Sequence, residues 1–225
     1  MPVSLDTLLA AAPYLGGLHA RHGGWLAEAL VAPDDALSRE LSAVAGAGRS
    51  ATEESEIAAD LRHAKGRVAL LAAAAETGDL WTTAAATAAL SDLADAALEA
   101  GLDFLLRKAI DKGDVRPGTT GATSGLIIFA LGKHGGRELN YSSDIDIVAF
   151  FDRQADALTE PEETTKIYSR IVQRLAALMQ DRLGDDYVFR TDLRLRPDPG
   201  STPVALSIDA ALAYYESRGQ NWERA

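Results

Sequence analysis

The chain of 225 residues contains no cysteine. That excludes a disulfide framework, thiolate-bound zinc and a cysteine nucleophile, and it fits a reducing compartment such as the cytoplasm. Basic residues are in deficit, with 22 Lys and Arg against 33 Asp and Glu and a formal net charge of −11. So acidic a surface repels a polyphosphate backbone and lacks the basic footprint of a non-specific nucleic-acid binder, so a nucleotide ligand is expected to be mono rather than polymeric. Long apolar runs are missing too. No stretch of about eighteen uncharged apolar residues occurs, so nothing reads as a membrane span. The opening MPVSLDTLLAAAPYLGG has an apolar middle but no basic leader, and Asp6 and Pro13 interrupt it, which argues against a signal peptide. What is present is 47% hydrophobic and 24% charged residues, enough for one large domain or two small ones.

The chain changes character near residue 112. Before it, alanine-rich segments read as helix. PDDALSRELSAVAGAG (33–48) opens on proline and acids and closes at glycines, and TEESEIAADLRHAKGRVALLAAAAETGD (52–79) carries three glutamates in its first turns. Between Leu80 and Ile110, Leu90, Leu93, Ala97, Gly101 and Leu105 recur at helical spacing. Residues 1–111 thus form a helical N-terminal region, and KGDVRPGTTGAT (112–123) has the composition of a linker. Beyond it, SGLIIFAL (124–131) and SDIDIVAFFD (143–152) read as buried strands. Tyr168, Ile171, Val172, Leu175, Leu178 and Met179 mark one face of a helix over 161–183. YVFRTDLRLRP (187–197) alternates and stops at proline, as a third strand would. The expected class is α+β, a helical bundle followed by a small mixed sheet flanked by helices.

Residues two apart in a strand point to the same side, so Asp144 and Asp146 would stand about 6–7 Å apart at Cα with both carboxylates on one face. Such a pair repels itself unless a cation lies between, and hard oxygen ligands suit Mg²⁺ or Mn²⁺. The bland alternative is that Asp144 caps a turn and Asp146 ends on solvent. Alternation in the third strand puts Asp192 on the side of Arg190, Arg194 and Arg196. That side could supply a third carboxylate and bidentate phosphate contacts, or it could be a solvent-facing edge with ordinary ion pairs. Between the first two strands, GKHGGREL is a glycine turn able to bring backbone close to a ligand, yet it matches neither a Walker loop nor the dinucleotide fingerprint.

Gly132 with its glycine turn and Ser143-Asp144-Ile145-Asp146 resemble the signature of the nucleotidyltransferase superfamily. Together GGRELNYSSDID, FRTDLRLRP and ESRGQNWERA resemble one family within it, the glutamine synthetase adenylyltransferases, bifunctional enzymes with two related catalytic halves. The resemblance covers about residues 124–225 and implies a nucleotidyltransferase core there, cut short at its C-terminus. Lys133 departs from the serine usual in the superfamily but is at home in this family. His134 departs from an expected apolar residue and reads as a turn histidine without a duty. Asn140 with YSSDID, and NWER ending at Arg224, look more like the N-terminal, adenylyl-removing half than the C-terminal one.

The resemblance implies attack by inorganic phosphate on the α-phosphorus of an adenylyl-tyrosine of glutamine synthetase, releasing ADP. Asp144, Asp146 and Asp192 correspond to the catalytic metal ligands. Gly132, Lys133, Gly135, Gly136, Ser142 and Ser143 would position the nucleotide, with Arg194 and Arg196 near phosphate. The implied cofactor is Mg²⁺ or Mn²⁺. The implied partners are glutamine synthetase, phosphate and ADP or ATP, with the PII signalling protein and glutamine as regulators. Rival readings are the forward transfer from ATP, a small-molecule nucleotidyltransferase of the aminoglycoside-modifying kind, and a non-catalytic interaction module.

Overall fold

In the computed structural model, residues 4–182 and 186–219 are described. Five helices come first: α1 (Leu5–Ala11), α2 (Pro13–Ala29), α3 (Pro33–Ser50), α4 (Glu54–Thr77) and α5 (Thr83–Asp111). Their starts follow local chemistry. Pro13 and Pro33 occupy first-turn positions where the missing N–H costs nothing, Glu53 and Glu56 form a reciprocal capping box, and the Thr82 hydroxyl accepts from Ala85 N. The periodic residues of α5 all turn inward: Leu90, Leu93, Ala97 and Leu105 are buried, and Gly101 faces Leu175 of the helix described next.

A small sheet follows, built from β1 (Leu126–Leu131), β2 (Ile145–Phe151), β3 (Thr191–Asp192) and β4 (Ala205–Ser207). The four-residue α6 (Gly132–Gly135) leaves β1, α7 (Thr164–Gln180) crosses over between β2 and β3, and α8 (Ile208–Ser217) follows β4. β1 runs antiparallel to β2, pairing Leu131 with Asp146. The other edge of β2 is shared, β3 lying parallel at its start and β4 parallel at its end. The architecture is therefore α+β with a mixed four-stranded sheet. The six residues expected on the apolar face of α7 are all buried. One hydrophobic core runs from α2 through α4, α5 and α7 to the sheet, with Leu61, Leu93, Phe151, Val172 and Phe189 inside it.

The third strand is much shorter than the alternation over 187–197 predicts. Pairing stops at Asp192, because the Asp192 carboxylate accepts the backbone N–H of Arg194 at 2.8 Å and bends the chain into a turn. Side parity therefore does not extend to Arg194 and Arg196. β4 and α8 were not foreseen, although Ser207, whose hydroxyl accepts from Ala210 N, and Asp209 just after it carry an ordinary helix-start signal.

Candidate active site

Parallel pairing of β2 with β3 sets Asp146 directly beside Asp192, and Asp144 lies just before β2. Asp144 is half exposed and paired with Arg190, which also donates to the carbonyl of Ser142 at 2.8 Å. Asp192 is mostly buried and clasped by Arg194, whose Nε and terminal nitrogen lie 3.0 and 2.6 Å from Oδ2. That pairing holds the Asp192 carboxyl below its ordinary range. Asp146 differs. It has no ion-pair partner among the described residues, and desolvation, then Asp192 and Asp144, push its carboxyl up. His134 and Arg194 oppose the shift only in part.

The glycine turn is shaped around Asp146. Gly132 has φ +55°, and a Cβ there would stand 2.6 Å from Asp146 Oδ2, so both conformation and space require glycine. A Cβ on Gly135 would meet the Ala130 carbonyl oxygen at 2.6 Å, so this glycine lets the turn pack back onto β1. The Gly136 N–H donates to the Gly132 carbonyl, which takes it away from any phosphate. Lys133 is exposed, and its carbonyl accepts from Glu138 N. In the loop before β2, the Ser143 hydroxyl accepts from Asn140 N and the Asn140 side chain accepts from Ser142 N, so these residues first of all shape the approach to Asp144. The Arg196 guanidinium donates to the carbonyls of Leu193, Pro199 and Thr202 and ties the loop after β3.

His134 has a duty that the sequence did not disclose. It is 2% exposed, and its Nε2 lies 2.7 Å from Oδ1 of Asp95 on α5. Arg137 pairs with Asp92, and Ser91 Oγ accepts from Leu139 N. One turn of α5 thus holds the glycine turn. Ser91, Asp92 and Asp95, gathered within one turn of α5, were the signal available for finding it.

Among the described residues no group of three or more His, Cys, Asp or Glu side chains stands ready to ligate a metal ion. Arg190 and Arg194 draw Asp144 and Asp192 aside. The donor set itself fits a divalent cation: three hard carboxylates on neighbouring chain segments, the central one with no cation of its own. Such an ion would take over the neutralisation that the two arginines supply.

The helices and the mixed sheet define an α+β protein that carries three carboxylates on neighbouring chain segments. Residues 3–225 match the family described as glutamate-ammonia ligase adenylyltransferase, and the chain belongs to that family. It is 44% identical over 98% of its length to the bifunctional glutamine synthetase adenylyltransferase/adenylyl-removing enzyme of Agrobacterium fabrum, covering 24% of that protein. The Rhizobium meliloti protein of the same name is 47% identical over 80% of the chain and 18% of the relative. The Mesorhizobium japonicum protein, also of that name, is 49% identical over 76% and 18%. The chain thus spans about a quarter or less of the curated relatives it matches. The NWER segment compared above lies outside the described residues. No helix among the described residues is long and apolar enough to cross a membrane.

Proposed function

We propose that this segment removes the adenylyl group from an adenylyl-tyrosine of glutamine synthetase by phosphorolysis. An oxygen of inorganic phosphate bonds to the α-phosphorus, the bond from phosphorus to the tyrosine oxygen breaks, and the products are ADP and the free tyrosine. The observation that carries the reading is the pairing of Asp146 with Asp192 beside Asp144, at the end of a glycine turn shaped to Asp146. Mg²⁺ or Mn²⁺ held by Asp144, Asp146 and Asp192 would supply charge neutralisation at the phosphoryl oxygens. Arg194, 84% exposed at its side chain, can leave Asp192 for a phosphate oxygen when a cation takes its place. Arg190 keeps the Ser142 carbonyl fixed and with it the loop that leads to Asp144.

Direction rests on Asn140 with the YSSDID that follows it and on the NWER segment, which resemble the adenylyl-removing half. The same carboxylates would serve transfer from ATP. The test is product analysis with a relative-length protein carrying this segment, adenylylated glutamine synthetase, phosphate and Mg²⁺. ADP that forms only when phosphate and metal are both present supports removal. AMP passing from ATP to unmodified glutamine synthetase, with no release by phosphate, would reverse the assignment. PII and glutamine belong to the same reading as regulators.

A further inference from the structure

A cavity of about 520 Å³ lies between α2, α4 and the segments around Tyr141 and Tyr187; none of the three aspartates lines it, while Tyr141 and Ser142 of the loop leading to Asp144 do. Its charge is opposite to that of the chain. Arg21, Arg62 and Lys65 line it, while Asp186 is its one carboxylate among the described residues; His22, also in the lining, is pulled down to about 4 by burial and adds no charge at neutral pH. That carboxylate is already paired with Arg21. Arg62 donates to the Asp181 carbonyl at 3.1 Å and leaves its buried Nε without a partner among the described residues.

Lys65 is the most unusual of the set. It is 5% exposed, its Nζ sits 3.9 Å above the centre of the Phe189 ring, and no described carboxylate pairs with it. A buried ammonium without an anion is costly, and burial pulls this one down to about 7. An arriving anion would relieve the cost. The volume suits a small molecule rather than a lone ion, and Tyr14, Tyr141 and Tyr187 are in the lining beside the cationic residues. Cationic donors approach from two helices, with Arg21 on α2 and Arg62 and Lys65 on α4. That arrangement surrounds a tetrahedral group with several oxygens better than a planar carboxylate, which a single arginine fork satisfies.

We propose that this cavity binds the phosphate group of a small anion, either inorganic phosphate or a phosphomonoester whose body lies against the tyrosines, at a site separate from the aspartate cluster. The site stands independently of the direction of adenylyl chemistry, and its test uses neither metal nor glutamine synthetase. The whole chain is titrated calorimetrically in metal-free, phosphate-free buffer, with inorganic phosphate in one arm and adenosine monophosphate in the other. Saturable binding is expected, weakened roughly tenfold or more by Lys65→Met and by Arg62→Gln and nearly unchanged by Asp146→Asn. Circular dichroism checks that each variant is folded, and Arg62→Gln carries the test alone if the lysine variant is not. Tighter binding of the monophosphate identifies a phosphomonoester as occupant; equal or weaker binding identifies free phosphate. No saturable binding in either arm overturns the site. So does binding that survives both cavity substitutions, or binding lost in Asp146→Asn.

Discussion

His134 Nε2 and Asp95 Oδ1 lie 2.7 Å apart, joining the glycine turn after β1 to the middle of α5. A carboxylate accepts, so Nε2 carries the proton, and Nδ1 is buried with no partner among the described residues. Removing the acceptor would strand both ring nitrogens. We expect Asp95→Ala to cost about 1–3 kcal/mol in urea unfolding, and Asp95→Asn, which keeps an acceptor oxygen, to cost clearly less. Equal and negligible costs would show that the pair does not hold the turn.

The Asp146 carboxyl has two carboxylates as neighbours and no ion-pair partner among the described residues, and their repulsion adds to desolvation in pushing it up. Asp146→Asn removes that repulsion, so its melting temperature in metal-free buffer should rise above the parent's. The same change removes a ligand charge, so the stabilisation that Mg²⁺ gives the parent should shrink, and the rate of adenylyl chemistry should fall about 10²-fold or more. Thermal melts with and without Mg²⁺ check the first two outcomes. A parent melt indifferent to the metal would refute the ligand role.

Arg194 and Arg196, two residues apart, should separate by experiment. Arg194 is exposed on Asp192, and Arg194→Gln should leave the unfolding midpoint little changed while slowing phosphate-dependent turnover. Arg196 spans three carbonyls of its own loop, and Arg196→Gln should lower the unfolding midpoint distinctly. Unfolding curves and rates for both variants decide it, and the reverse pattern would exchange their roles.

Lys65 gives a pH signature. Its folded value of about 7 lies below the ordinary lysine value of 10.5, so between these limits the unfolded chain binds more protons and stability rises with pH. At pH 7 and below, the penalty is largely present. Lys65→Met should therefore be more stable than the parent at neutral pH by roughly 2–4 kcal/mol, with the gap closing toward pH 10.5. Denaturant titrations at several pH values in phosphate-free buffer measure it. A gap independent of pH would mean that Lys65 is not desolvated.

Periodicity disclosed the elements whose apolar faces meet one core. Leu90 to Leu105 placed α5, Tyr168 to Met179 placed α7, and the apolar runs placed β1 and β2, because burial along each obeys one repeat. It misled where a side chain competes with the sheet. Asp192 captures the N–H of Arg194, so a sequence that alternates through Pro197 pairs over two residues only. Asp144 and Asp146 stood out in the sequence as like charges two residues apart, but Asp144 falls just before β2 and pairs with Arg190, so the expected shared strand face holds for Asp146 alone. The partners of His134 and Lys65 were not legible, since Asp95 and Phe189 are remote in sequence and only the packed chain brings them together.

The origin of the β-phosphate in ADP tests the central claim most directly. Phosphorolysis makes the attacking phosphate the β-phosphate of the product, so ³²P-labelled inorganic phosphate, incubated with adenylylated glutamine synthetase, Mg²⁺ and a relative-length protein carrying this segment, should yield ADP labelled at that position. Asp146→Asn should abolish the label. Release of AMP without label in ADP, or labelled ADP formed equally well by Asp146→Asn, would contradict adenylyl removal at these three aspartates.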